Sequence, residues 1–588
     1  MARTTQSTPR KKTSPKRMRP AKRLSKDERA KRRRDKKFRT DINTVFTNAG
    51  FTQVKTRGTQ LTIAGRQGDI DSFFVYENVL VLVEDTTAKD VKDHIGKTSS
   101  FFSHIAGHPN EALGVLSSKF VTFRSTSTKD GFDDAEYHWV FVYCSLNAFD
   151  RKYEERHPNL SFLRYASLQY FLSLSKTIGG SVRFELFRFL GLKMSEIGIE
   201  KSGQDKREYT ALVLPEAPSG FPPGHKVVTF LVEPEALLEQ AYVLRRDGWQ
   251  DNECLYQRLL VRGKIASMRE YLASQGRVFV NNIVATLPDD TRFLNVRTGK
   301  EIAAADLSVK EPVKVEFRRT LGSIGLVDGQ HRVFAYHEGK DKLDSQIGLL
   351  RKKQHLLITG ILYPPGTDLL ARTQFEARLF LEINDKQTRA RGDLKQAIQT
   401  ILEPYSDVAV AKRVVSSLAE TGPLCGYLEE HFFDRGKIKT TSIVSYAMRH
   451  LVAIDGADSL YRIWTHPQRG KLAQQKAKPK QQRGKDLLDE YVRFCSAHLS
   501  DFIGGLQQNL PPELWSEDKR VSRVLTTTTI NGLISCLRLV IQGGKAGDLA
   551  FYRQAFGKCT VDFSPANYAY RSSHWRRLGK KLYEECFE

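Results

Sequence analysis

The chain has 588 residues, 40% hydrophobic and 27% charged, with a formal net charge of +25; that is ordinary globular composition and length enough for roughly three to five domains. It contains no unbroken apolar run of about eighteen residues and no apolar leader core at its start, so the expectation is a cytoplasmic protein without a membrane span. Its seven cysteines (Cys144, Cys254, Cys425, Cys495, Cys536, Cys559 and Cys586) are scattered without a Cys-x-x-Cys pair, which argues against a disulfide framework or structural zinc site and for reduced, mostly buried thiols.

In chain order, residues 1–38 read as a basic tail. The first forty residues carry eighteen Lys or Arg against three acids, and such a run is disordered alone or at best a solvated helix. It would release counterions from a polyanion and bind it in a salt-sensitive way. Lys31, Arg32, Arg33, Arg34, Lys36 and Lys37 are the expected DNA contacts, although ribosomal RNA or an acidic protein fits the charge equally well. A compact unit, 39–201, follows. It opens with helical spacing at Ile42, Val45 and Phe46. Two strands come next, 70–77 and 79–86, about a turn at Asn78, then a polar helix over 88–105 and a buried strand over 138–145. The Gly-, Pro- and Ser-rich stretch 202–226 reads as a linker. A second α/β unit, 227–400, has strands at 227–234, 278–287, 324–327 and 355–365, with helices over 234–246 and 255–274. From Thr373 the pattern turns helical, and residues 401–588 form a helical region with a basic loop at 466–486. The chain ends on a further basic helix, "HWRRLGKKLYEE". The fold class is multidomain α/β with a helical C-terminal region.

Two constellations carry chemistry. In the first, Asp71 and Glu84 fall nearly opposite each other across the hairpin. Both carboxylates could face one Mg²⁺, which takes one or two carboxylates plus water and phosphate oxygens. The string "GDID…LVLVEDT" resembles the "GEID…VEVK" version of the PD-(D/E)XK nuclease core. The resemblance implies a restriction-endonuclease-like α/β core, with Asp71 and Glu84 as metal-binding, catalytic acids and Asp69 as a further acid. Where that family has lysine this chain has Thr86. Lys89, Lys92 or Lys97 on the following helix could replace it; otherwise the fold would be inactive and serve only to hold DNA or a partner.

The second is "SIGLVDGQHRVFAYHEGK", in which the strand ending at Val327 meets Asp328-Gly329-Gln330-His331-Arg332. Gly329 permits a conformation other residues resist. Turn amides and the Arg332 fork suit phosphate. His331 can move a proton, and Asp328 can orient it or hold a metal. The string resembles the motif that names the DGQHR domain family (DndB- and DpdB-like proteins of the ParB/sulfiredoxin-like superfamily). "YQRLLVRGKIASMREYLASQGRVFVNNIV" resembles the family's leading Gln-Arg helix pair and strand, through Gln257 and Arg258. "FLEINDKQTRARGDL" resembles its downstream helix start, through Asn384, Gln387 and Arg389. The resemblance covers roughly 225–400. It implies a ParB/sulfiredoxin-like fold in which Gly329, Gln330, Arg332, Gln257, Arg258, Asn384 and Arg389 bind a nucleotide such as ATP, and Asp328 and His331 act catalytically.

The leading expectation is therefore a DNA-associated, nucleotide-binding protein of a bacterial DNA-modification or phage-defence system. It would act as an NTPase through the DGQHR motif, with DNA and other proteins of that system as partners. The alternatives are a non-catalytic DNA-binding regulator or scaffold, and a Mg²⁺-dependent DNA nuclease.

Overall fold

The computed structural model describes residues 25–193, 196–198, 206–245, 249, 257, 259–385, 392–431, 433–434, 436–477 and 485–588. The basic run is helical wherever it is described. Helix α1 spans Lys26–Asn48 and opens with a capping box: the Glu28 amide donates to Ser25 Oγ at 3.1 Å and the Ser25 amide to Glu28 Oε2 at 2.8 Å. Residues 26–38, assigned from sequence to a disordered tail, are thus helix, because the cap and a buried second half (Phe38, Ile42, Val45, Phe46) hold the charged first half in register.

Strand β1 (Thr52–Val54), a small hairpin of β2 (Leu61–Ile63) and β3 (Arg66–Gly68), β4 (Ser72–Tyr76) and β5 (Val79–Thr86) follow. The β4–β5 turn is Glu77–Asn78, with Glu77 at φ 48°. Buried Asn78 pins it, donating to the Glu136 and Glu196 carbonyls at 2.8 Å each. Helix α2 (Lys92–Gly107) and two further helices lead to β6 (His138–Ser145) and β7 (Ser161–Arg164). The sheet order is β1-β4-β5-β6-β7, antiparallel as far as β5 and parallel from there. Alternation along β5 sends Val79, Val81 and Val83 toward α1, and Leu80 and Leu82 toward α2. Helices α3 (Tyr165–Ile178) and α4 (Val182–Phe189) complete this unit.

The supposed linker is part of a sheet. Strand β8 (Lys206–Leu214) pairs with β9 (Lys226–Val232) and, from Lys206 to Val213, with β14. The other strands are β10 (Ala241–Tyr242), β11 (Ile283–Thr286), β12 (Arg292–Asn295), β13 (Glu301–Ile302), β14 (Glu311–Arg318), β15 (Ile324–Asp328) and β16 (Leu356–Leu362). Together they form a nine-stranded mixed sheet in the order β10-β15-β11-β16-β9-β8-β14-β12-β13. The helix expected over 234–246 stops at Gln240 and gives way to β10. The one expected over 255–274 is α5 (Arg262–Gln275), with Gln257 in an isolated bridge to Arg245 rather than in a helix. Helix α6 (Gln330–Phe334) follows the motif, and α7 (Leu369–Asp385) and α8 (Gly392–Leu402) pack against β15 through Val327.

Phe38 and Val81 share one continuous core with Leu237, Leu272, Val333 and Tyr336, so the two α/β units are joined through a common interior. Residues from Tyr405 to Phe587 form a separate core of helices. Within it, residues 469–477 of the expected loop 466–486 are helix. Helix α9 (Thr527–Gln542) lies beneath α10 (Trp575–Cys586), which closes the chain. Among the described residues, no helix is long and apolar enough to cross a membrane, and six cysteines are free.

Candidate functional site

The β4–β5 register pairs Ser72 with Val83, so the next pair outward is Asp71 and Glu84, on the α2 face at the carboxyl end of β5. Asp85 continues the opposite face. Asp71 Oδ1 receives Arg57 Nη1 at 2.7 Å, and Oδ2 accepts the Asp85 amide at 3.0 Å. Arg57 also reaches Asp85, which accepts Arg39 Nε of α1 at 3.0 Å. Burial, followed by the Asp85 charge, still raises the Asp71 pKa against the pull of Arg57. Burial and then Asp71 and Asp69 push Glu84 up to about 8. His94 of α2 sits with Nε2 3.5 Å from Glu84 Oε1 and Nδ1 3.0 Å from the Tyr143 hydroxyl. Burial lowers its pKa, against the pull of Asp85 and Asp69.

Asp71 and Asp85 thus share two guanidinium groups, Arg39 and Arg57, while Glu84 and the exposed Asp69 add two further acids beside them. Two negative charges remain, and the raised Glu84 pKa favours a proton there, which removes one of them. The donors are hard oxygens and the deficit equals one divalent cation, so the residues fit Mg²⁺ or Mn²⁺. Among the described residues no group of three or more His, Cys, Asp or Glu is arranged to hold a metal; a cation at Asp71 and Glu84 would complete its shell with water and phosphate. Thr86 does not substitute for lysine. Its Oγ1 accepts the Ala88 amide at 3.2 Å and fixes the turn after β5. Lys89, Lys92 and Lys97 are exposed; of these, Lys97 lies one turn beyond His94, and its charge is felt there.

The expected DNA contacts Lys31, Arg32, Arg33, Arg34, Lys36 and Lys37 are all exposed on α1. Since Arg39 on the same helix touches Asp85, the basic half of α1 runs outward from the carboxylate cluster for about 18 Å, at 1.5 Å per residue.

The DGQHR motif is arranged differently from the expectation. Gly329 has φ 95°, and a Cβ there would meet Arg332 Nη2 and Ile283 Cγ1 at 3.0 Å each, so both conformation and space demand glycine. Arg332 does not reach outward: Nη2 donates to Asp328 Oδ2 at 2.7 Å. Its Nε is buried without a hydrogen-bond partner. Helix α6 has only five residues, which leaves little dipole to hold an anion. Gln330 is buried, and its Oε1 accepts Arg245 Nε at 3.2 Å. Arg245, with its side chain 0% exposed, donates through Nη1 to Glu185 at 2.8 Å and Tyr170 at 2.9 Å, tying the motif to α3 and α4. His331 Nε2 accepts the Val261 amide at 3.4 Å. Burial, then the Lys264 and Arg245 charges, lower the His331 pKa to about 4, with Asp328 opposing and Arg332 adding to the fall.

The Gln257 amide donates to the Leu326 carbonyl, stapling β15 instead of facing a ligand. Asn384 bonds its own helix at the Phe380 carbonyl, at 2.9 Å. Arg258, Gln387 and Arg389 lie outside the described residues. Sequence reasoning missed Arg39, Arg57, Asp85, His94, Tyr143 and Arg245. Asp85 alone had a local signal, as the acid beside Glu84.

Comparisons with protein-family models, curated proteins and solved structures find no match to the chain.

Proposed function

We propose that the chain is a DNA-binding, divalent-cation-dependent phosphodiesterase. Its cleavage centre would be Asp71 and Glu84. The observation that carries this reading is their placement as opposed residues on one face of the hairpin, at the root of the basic helix α1. The helix–strand–strand–strand–helix–strand order of α1, β1, β4, β5, α2 and β6 supports a nuclease-like core. Asp71 and Glu84 would hold the cation, which supplies charge neutralisation at the attacking and leaving oxygens of a phosphodiester. The exposed cations of α1 bind the DNA backbone. Arg57 keeps Asp71 oriented, and Tyr143 holds the His94 ring beside Glu84. Lys97 supplies the positive charge that Thr86 cannot. The test is nicking of supercoiled plasmid in Mg²⁺ or Mn²⁺. Glu84→Ala and Asp71→Asn are expected to slow it at least about a hundredfold, the equivalent of a few kcal/mol of charge stabilisation. Equal nicking by wild type and Glu84→Ala would rule the site out.

A second reading is favoured by one observation: Arg245, Arg332 and Lys264 concentrate positive charge around a neutral His331. This supports the proposal that the DGQHR turn takes the phosphates of a nucleoside triphosphate; its setting in bacterial DNA modification or phage defence is implied by the resemblance alone. Because Asp328 already neutralises Arg332, a nucleotide would have to displace that carboxylate. Calorimetric titration with ATP, CTP and GTP in Mg²⁺ is expected to show binding of at least one, weakened tenfold or more by Arg332→Ala. No heat with any of the three removes this reading.

A further inference from the structure

The last helix, α10, carries its charge against its own electrostatics. Leu578, Gly579, Leu582 and Cys586 are buried, while Arg576, Arg577, Lys580 and Lys581 lie exposed, with exposed Arg571 just ahead. Residues 571–581 hold five cations and no acid, and the acids follow at Glu584, Glu585 and Glu588. A helix dipole favours the reverse order, acids first and cations last; α10 has no acid in its first turn and no base in its last. Lys580 and Lys581 reach Glu584 and Glu585 at 3.4 and 2.8 Å. Arg571, Arg576 and Arg577 have no carboxylate partner among the described residues, and Arg576 lies over the half-buried Trp575 ring at 4.9 Å. The three arginines oppose the helix dipole and gain no ion pair in return, and a local rule broken in this way is expected where a surface serves a ligand.

We propose that Arg571, Arg576, Arg577 and Lys580 form a second docking surface for the sugar–phosphate backbone of duplex DNA, on the helical region and separate from α1. The proposal rests on the reading that the chain binds DNA. Charge complementarity commits it to that partner: arginine forks match phosphate oxygens, and the nearest acid on the helix, Glu584, is engaged by Lys580 while the three arginines carry their charge unopposed. It contacts the backbone and carries no sequence preference.

The test uses the full chain and the double variant Arg576→Glu/Arg577→Glu, binding a fluorescent duplex in EDTA over a series of NaCl concentrations. Loss of two phosphate contacts is expected to reduce the slope of log K against log[salt] by about 2 and the low-salt affinity by about tenfold or more. Because the glutamates agree with the helix dipole, the Tm is expected to equal or exceed that of wild type. An unchanged slope overturns the proposal. So does a Tm below wild type, since the arginines would then serve the fold. The readout needs no cation, so it separates from the cleavage centre: if wild type nicks plasmid while both proteins bind with one slope, only the docking surface fails. If Glu84→Ala nicks like wild type while the double variant loses affinity, only the cleavage centre fails. Absence of duplex binding by wild type overturns both.

Discussion

Replacing Arg245 by methionine is expected to destabilise the protein by about 3–5 kcal/mol, the range for breaking a buried ion pair from one side. The guanidinium has no exposure and touches Glu185, Tyr170 and Gln330, so its removal takes the counter-charge from the Glu185 carboxylate, leaving the Tyr170 hydroxyl to donate to it, where α3 and α4 meet the nine-stranded sheet. The size of the loss comes from that desolvated remainder, not from the worth of the pair. The double variant Arg245→Met/Glu185→Leu is therefore expected to recover most of it, as an apolar replacement of both partners often does. Urea unfolding of the single and double variants measures this through the shift in midpoint. A single variant within about 1 kcal/mol of wild type would mean that the seam does not depend on this contact.

The second large effect is a pH dependence at Glu84. Its folded pKa, about 8, lies above the ordinary value of 4.5. The native state therefore holds a proton that the unfolded state releases between those limits, and stability falls as pH rises through that window. Below pH 4.5 both states are protonated and the group costs nothing; above pH 8 the full penalty, on the order of a few kcal/mol, is present. His94 works the other way. Burial lowers its pKa, so it opposes folding in acid. The contribution of Glu84 is thus the difference between wild type and Glu84→Gln, which removes the charge but keeps the shape. In cation-free buffer that difference is expected to grow in favour of the variant from pH 5 to pH 8. A constant difference would show that Glu84 is not strained by its neighbours.

The hairpin acids were legible because strand alternation and a short turn fix both position and face: once Phe73–Tyr76 and Val79–Val83 read as strands, Asp71 and Glu84 must be neighbours. The strand before Gly329 was legible for the same reason. What the acids touch was not. Arg57 arrives from a turn before the hairpin and Arg39 from α1, and no local pattern encodes either contact. Likewise Arg245 meets Gln330 across 85 residues of sequence, so a residue read as facing a nucleotide accepts a hydrogen bond from a buried guanidinium instead. Strand β8 was hidden because Lys206–Leu214 is half exposed and polar at its start, and the Pro- and Gly-rich turn beyond it dominated the composition. The start of α1 carried a readable signal, Ser25-x-x-Glu28, but the surrounding charge run suggested disorder instead.

The central claim is that Asp71 and Glu84 share one divalent cation, and thermal unfolding at pH 8 with and without Mn²⁺ tests it most directly. A cation at a hundred times its dissociation constant stabilises by about 2.7 kcal/mol. Wild type is expected to gain several degrees in Tm, while Glu84→Gln and Asp71→Asn gain little. Equal gains in all three proteins, or none in wild type, would contradict the claim.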